Sequence, residues 1–339
     1  MIVVKNLNQL LIEACKLVKR DGVARKTRGF NCVEIPYPAL FCVENPSDRF
    51  VTVKERKWNK YLGWIESLWL WQGINSMDMV GSYVKNLYTY SDDGKYMRAG
   101  YGPRMRGYNG DSKDYEYHSP MFNENGELDF GNTVDQIKFV IEKLKQDPNS
   151  RQASITIHDP MKDNFESDGS LKVTKDTPCT RTIQFMIVDG KLDCTVTMRS
   201  NDLIFGASAV NVFNFSLLQE IIAMVLGVPV GKYYHFANNL HYYDNLEGMV
   251  NSIAELNPDD YYKPYEYPEN EQITLVEVDK QISYVAGLEE CSRNGKPFDS
   301  TVYSLLKPFF KDWINAIHRR NNKEDELEFN NPQMSEFYK

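Results

Sequence analysis

The chain has 339 residues and a formal net charge of −8. That length suits one large domain or two ordinary ones, and the acidic balance excludes a surface that grips nucleic acid as a whole. An anionic small molecule remains open, because a few arginines focused in one cleft would attract it. The six cysteines (Cys15, Cys32, Cys42, Cys179, Cys194, Cys291) form no CxxC pair and no metal-type spacing, so no metal is expected. Residues 1–20 lack the apolar run and cleavage site of a signal peptide, and no stretch approaches a membrane span of about 18 apolar residues. The expectation is a cytoplasmic protein with reduced thiols.

Residues 5–19 carry Leu7, Leu10, Leu11, Ala14, Leu17 and Val18 at helical spacing. A cationic loop over 25–29, holding Arg28, leads to a strand at 30–35, and a second apolar run follows at 39–43. Residues 54–73 read as an aromatic-rich helix with Glu66 inside its apolar sweep. A carboxylate there is either on a misjudged surface face or, if buried, in need of a partner or a proton. Residues 87–132, rich in Tyr, Gly, Asn and Asp, read as loop with short helix, and Tyr101-Gly-Pro-Arg-Met-Arg106 stands out as compact and cationic. A third helix is expected over 133–146, a strand over 153–158, and a long polar loop over 159–177 with Asp168-Gly169.

Cys179 opens the most informative stretch. Ile183, Phe185 and Ile187 alternate as one strand face, Asp189-Gly190 is a two-residue hairpin signal, and Leu192, Cys194, Val196 and Met198 resume the alternation. Cys179 therefore stands at one end of a hairpin whose second strand releases Arg199-Ser200-Asn201-Asp202 on the same side. A thiol beside a fixed guanidinium is how a cysteine becomes a nucleophile. By residue type and spacing alone, Cys179 fits a small core hydrophobe as well.

Residues 203–211 read as a small-residue loop, and 212–226 as a helix buried nearly all round. A strand near 232–236 runs into Asn239, His241 and Tyr243, and 245–255 is helical. The tail, 257–339, holds a Pro/Tyr-rich loop, a strand candidate near 273–278, helices near 280–292 and 300–319, and a charged, frayed end. With no repeat and no linker, residues 1–339 read as a single domain.

These motifs resemble, in order, those of the thymidylate synthase and pyrimidine-nucleotide hydroxymethylase superfamily. The matches are Thr27-Arg28; Glu66-x-x-Trp69-x-x-Gln72-Gly73; Tyr101-Gly102-x-x-x-Arg106; Asn149-Ser150-Arg151; Pro178-Cys179 with Gln184-Phe185; Arg199-Ser200-x-Asp202; Asn211 before a buried helix; and His241-x-Tyr243. Each is weak alone, and the ordered set is specific. The resemblance implies an α/β (α+β) three-layer fold with a large mixed sheet and a long buried central helix. Residues 257–339 would be a C-terminal extension packed on that domain.

The resemblance also implies roles. Cys179 would add to C6 of a pyrimidine nucleoside monophosphate, making C5 nucleophilic toward the one-carbon unit of 5,10-methylenetetrahydrofolate, the co-substrate. Arg28, Arg151, Arg199 and Ser200 would hold the phosphate. Arg151 would cross from the other subunit of a homodimer, and Gln152 replaces a second arginine usual beside it. Glu66 would relay protons, and Tyr101 would help remove the C5 proton. Asp202, Glu66 and Trp69 would contact the folate, His241 and Tyr243 the sugar hydroxyl, and Gln184 and Asn211 the substrate.

Asn211 suits uracil, since a carboxamide donates to O4 and accepts from N3–H, whereas a carboxylate there suits cytosine. The segment before it is one residue longer than in ordinary thymidylate synthases. Counting back from Leu217-Leu218 selects Asn211; counting forward from Arg199 selects Val210. Synthases shield the intermediate from water with a tryptophan before the Tyr-Gly motif and an apolar C-terminus. Here 87–91 has no tryptophan, the sequence closes on Ser-Glu-Phe-Tyr-Lys, and Asn201 with 203–206 resembles the hydroxymethylase branch. dUMP 5-hydroxymethylation is thus expected, with reductive methylation to dTMP, or a dCMP/CMP hydroxymethylase, as alternatives. A catalytically dead nucleotide-binding relative is the alternative of a different class, against which the intact Cys179, Glu66, Tyr101 and Arg199 argue.

Overall fold

A computed structural model describes residues 1–27, 29–111, 114–115, 121–122, 128–129, 133–264, 271–322 and 327–338. The chain divides into two units, one comprising Met1–Lys60, Val140–His158 and Cys179–Pro264, the other Tyr61–Phe139, Asp159–Pro178 and Tyr265–Lys339.

The first unit is built on strands β1 (Ile2–Val4), β2 (Val23–Thr27), β3 (Phe30–Glu34), β4 (Ala39–Val43), β5 (Ser154–Thr156), β6 (Thr180–Val188), β7 (Lys191–Met198), β8 (Asn201–Asp202), β9 (Val230–Ala237) and β10 (Leu240–Tyr243). Six of them form a mixed sheet in the order β1-β4-β9-β7-β6-β5. β1 runs parallel to β4 and β9 parallel to β7, while the other neighbours are antiparallel. The second sheet has the order β8-β10-β3-β2. The β6–β7 turn is the expected hairpin: Asp189 and Gly190 take φ of 50° and 74°, the left-handed pair that matches strand twist.

The long helix, Asn211–Leu226, packs on β7 and β9 and is buried from Val212 through Val225. Gly227, at φ 69°, ends it in the left-handed conformation that a Cβ disfavours. Together with the preceding turns it makes Leu203–Leu226 long and apolar enough to cross a membrane by length and composition, against the expectation of no such stretch. Most of it is buried within the protein, as a core helix. The opposite face of the six-stranded sheet leaves Leu40, Thr182, Gln184, Met186, Tyr234 and Phe236 at least partly exposed.

Two expectations are corrected in this unit. Residues 25–27 belong to β2, an edge strand exposed at every position, so no apolar alternation marks it. The expected loop at 203–211 is a π-helical stretch, Leu203–Val210, that runs directly into the long helix. The Asn211 N–H reaches back five residues to the Gly206 carbonyl, and Ser208 departs from helical geometry at φ −102°, ψ 18°. A π-turn takes up one extra residue without breaking the helix.

The second unit is mainly helical, with one short antiparallel strand pair, Met121–Phe122 and Leu128–Asp129. Leu62–Trp71 contacts Leu275–Arg293 and Pro308–Asn321. Trp64 and Trp313 are buried 5.7 Å apart, and the Trp313 indole N–H donates to the Trp64 carbonyl. Two buried guanidiniums form ion pairs with carboxylates: Arg104 with Asp163, and Arg106 with Asp279 and Asp135. The helix expected over 54–73 is shorter. Lys54–Arg56 forms one tight turn, and Lys57, at φ 47°, breaks it before Leu62. The strand expected near 273–278 is the start of Leu275–Arg293, capped by the Thr274 side chain. The end is anchored rather than frayed: Pro332–Phe337 is helical, and buried Tyr338 accepts the Trp64 indole N–H at 2.8 Å.

Candidate active site

Cys179 directly precedes β6, whose register with β7 ends at Thr180 opposite Met198. Arg199 therefore leaves β7 beside Cys179, and its backbone N–H donates to the Cys179 carbonyl at 2.9 Å. Cys179 is half-buried, whereas Cys15, Cys32, Cys42 and Cys194 are buried. Burial pushes those four thiols up, Cys15 to about 12, which keeps them protonated and inert.

Asp202 follows three residues after Arg199, in register with His241 across the β8–β10 pair. Its Oδ1 caps the π-helical stretch, accepting from the N–H groups of Ile204 and Phe205, both at 2.7 Å. Its Oδ2 is buried and accepts no hydrogen bond among the described residues. Burial raises the carboxyl pKa above its ordinary range. A buried acceptor of this kind needs a donor, and a bound molecule with an N–H supplies one.

Asn239 organises the neighbouring side chains. Its Oδ1 lies 2.8 Å from His241 Nδ1 and 3.4 Å from Ser200 Oγ, while its Nδ2 donates to Glu34. Glu34 in turn pairs with Arg25. Since Oδ1 only accepts, His241 carries a proton on Nδ1. The Tyr243 ring meets His241 edge-on at 5.5 Å. Asn239 and Glu34 join this cluster without a role assigned from the sequence; the polar Asn238-Asn239 pair ahead of His241 is the available signal.

Asn211 meets this cluster through Asn201, whose Nδ2 donates to Asn211 Oδ1 at 2.8 Å. Asn211 follows the π-helical stretch directly, and its side chain faces Asn201 of the 199–202 segment. Cys179, Arg199, Ser200, Asp202, Asn211, His241 and Tyr243 thus gather where β6, β7, β8 and β10 meet.

Arg151 is exposed, and its carbonyl accepts from the Gln184 side chain on the open sheet face at 3.0 Å. Arg28 lies outside the described residues. In the second unit, Glu66 is half-buried on Leu62–Trp71, so it has neither the fully buried nor the fully exposed position that the sequence left open. On the same helix the Trp69 indole N–H is occupied by the Ser76 carbonyl. Tyr101 is half-buried at the first position of Tyr101–Arg106.

A family model described as thymidylate synthase matches residues 10–274. The chain belongs to the thymidylate synthase family. Within that family it is 36% identical, over 236 residues, to the deoxyuridylate hydroxymethyltransferase of Bacillus phage SP01, covering 69% of this chain and 56% of that protein. It is 32% identical over 254 residues to the deoxyuridylate hydroxymethyltransferase of Pseudomonas phage M6, covering 74% and 64%. It is 27% identical over 212 residues to thymidylate synthase 1 of Bacillus subtilis (strain 168), covering 60% and 65%. The matches span between half and two thirds of these relatives' own lengths.

Proposed function

We propose that this chain transfers a one-carbon unit to C5 of a pyrimidine nucleoside monophosphate, and that its reaction is 5-hydroxymethylation of dUMP. The observation that carries the reading is the cluster joining Cys179 and Arg199 to Asp202, Asn211 and His241. The names of its phage relatives favour hydroxymethylation, and the likeness to a thymidylate synthase keeps reductive methylation as the second reading.

Cys179 is the nucleophile. Its thiolate forms a bond to C6, and the C5–C6 electron pair moves toward O4, leaving C5 nucleophilic. Arg199 favours the ionised thiol and, with Ser200, Arg28 and the partner subunit's Arg151, holds the phosphate. Gln184 and Asn211 hold the base, Asn211 donating to O4. His241, with its proton on Nδ1, offers Nε2 as acceptor to the sugar hydroxyl, beside Tyr243. Tyr101 and Glu66 move protons at the base.

The residues present fit 5,10-methylenetetrahydrofolate, because Asp202 Oδ2 is a buried acceptor in want of a donor and a pterin carries N–H groups. When bound, the folate supplies the one-carbon unit. Asp202, and by family resemblance Glu66 and Trp69, would hold it. Residues 87–91, where synthases have a tryptophan, hold Tyr88 and Tyr90 and no tryptophan, which supports hydroxymethylation.

The chain works as a single catalytic domain with residues 257–339 as its extension, in the cytoplasm, as a homodimer. The uncovered sheet face bearing Met186, Tyr234 and Phe236 supports a second copy. Incubation with 5-fluoro-dUMP and 5,10-methylenetetrahydrofolate is expected to leave a covalent adduct on Cys179. Nucleotide binding without any adduct would favour a catalytically dead relative instead.

A further inference from the structure

Behind Asn211 runs a buried polar chain to which the proposed function gives no role. Tyr233 and His235 stand two residues apart on β9, both fully buried, with their rings stacked 6.0 Å apart. Tyr233 Oη lies 3.1 Å from His235 Nδ1, and His235 Nε2 lies 2.8 Å from Asn201 Oδ1. Asn201, itself 3% exposed, then donates from Nδ2 to Asn211 Oδ1.

The direction of this chain is set at its inner end. A phenol has one proton to donate, and among the described residues His235 Nδ1 is the only hydrogen-bond partner of Tyr233 Oη. His235 must then accept at Nδ1 and carry its proton on Nε2. Nε2–H donates to Asn201 Oδ1, so Asn201 turns Nδ2 outward. Asn211 receives that donor on Oδ1 and is left with Nδ2 free to donate. Burial pushes His235 down to about 4, so the ring is neutral near pH 7, as an acceptor at Nδ1 requires.

The opposite direction is complete at every link but one. With both amides flipped and the imidazole proton on Nδ1, each neighbouring pair still forms a hydrogen bond. The Tyr233 proton, however, is left buried with no acceptor, which is costly. Asn211 would then present Oδ1 where O4 of uracil sits, which suits the amino group of cytosine.

We propose that Tyr233, His235 and Asn201 form a positioning relay that holds the Asn211 carboxamide in its uracil-reading orientation and so sets base choice at a distance. The relay rests on the reading of Asn211 as the base-binding residue. Gly206 supports the relay independently. A Cβ there would fall 2.6 Å from Asn211 Oδ1 and closer still to Asn201 Nδ2, so the Asn201–Asn211 hydrogen bond requires bare backbone beneath it. Tyr233, His235 and Asn201 are positioning residues, since none is placed against substrate.

The test compares kcat/KM for dUMP and dCMP, with 5,10-methylenetetrahydrofolate, in the wild type and in Tyr233→Phe. Removing the phenol weakens the bias without reversing it, because the forward direction then leaves only a bare lone pair on His235 Nδ1 whereas the reverse strands a buried N–H there. The dUMP:dCMP ratio is expected to fall severalfold. Asn201→Asp is the second variant and carries the test if Tyr233→Phe does not fold. Its carboxylate accepts from both His235 and Asn211, which turns the Asn211 oxygen toward the base and shifts preference to dCMP. An unchanged ratio, with both rates falling together, overturns the relay and leaves a structural role. A wild type that prefers dCMP also overturns it while sparing the transferase reading, whereas a wild type that turns over neither nucleotide overturns the reading beneath it.

Discussion

The backbone N–H of Arg199 donates to the carbonyl of Cys179 at 2.9 Å, so one hydrogen bond fixes the residue bearing the thiol beside the residue bearing the guanidinium. That bond survives any change confined to the thiol. Cys179→Ser is therefore expected to keep the thermal unfolding midpoint while turnover falls by about a thousandfold or more. Substantial residual turnover would remove Cys179 from the nucleophile's role.

Gly206→Ala places a methyl between Asn201 Nδ2 and Asn211 Oδ1. Either the two side chains separate or the π-helical stretch shifts. The expected cost is about 1–3 kcal/mol of stability, together with a raised KM for the nucleotide. Denaturant unfolding and steady-state kinetics check the two parts, and an alanine variant matching the wild type in both would show that this backbone has room to move.

His235 gives a stability dependence with a defined sign. Its pKa is lowered from 6.5 to about 4 in the folded protein. Between those values the unfolded chain binds a proton that the folded chain refuses, so stability is full above pH 6.5 and is lost as pH falls toward 4. From pH 7 to pH 5 the loss attributable to this ring is about 2 kcal/mol. Urea unfolding of the wild type and His235→Gln at both pH values isolates it, and an equal pH dependence in the two proteins would contradict a buried neutral imidazole.

Tyr338 is joined to the core of the second unit through its side chain and its backbone. Its hydroxyl accepts from Trp64, and its carbonyl accepts from Arg319. Tyr338→Phe leaves the buried Trp64 indole N–H without that acceptor, at an expected cost of about 1–3 kcal/mol. Tyr338→Ala should cost more, about 3–5 kcal/mol, because it also empties a packed site. Tryptophan fluorescence during unfolding reads both, and two neutral substitutions would mean that the chain end is not held.

Much of the framework was legible because its signals are local. Asp189-Gly190 announces a hairpin by backbone chemistry alone, and the hairpin's register then forces Cys179 and Arg199 together. The elements that were missed are those whose reason lies in tertiary contact. β2 is an exposed edge strand of mostly polar residues, so nothing alternates in it. The π-helical stretch is apolar at nearly every position and offers no period to read. The charge of the last residues hides the buried Met334 and Tyr338, and the Tyr338 partner Trp64 lies far away in sequence.

The same division holds for the candidate site. Cys179, Arg199, Asp202 and Asn211 stand out in sequence through ordered motifs. His235 was passed over as one residue of a strand, although Tyr233 and His235 share a face at spacing two and a buried pair of that kind demands partners. Asn201 was noticed only as a branch marker. Its position between His235 and Asn211 depends on β8 and β9 coming together, which no local pattern states.

Identification of the product tests the central claim most directly. Purified protein is incubated with dUMP and 5,10-methylenetetrahydrofolate, and the nucleotide and folate products are separated and weighed by mass spectrometry. The expected result is 5-hydroxymethyl-dUMP accompanied by tetrahydrofolate. Formation of dTMP with dihydrofolate would contradict it and make the chain a thymidylate synthase.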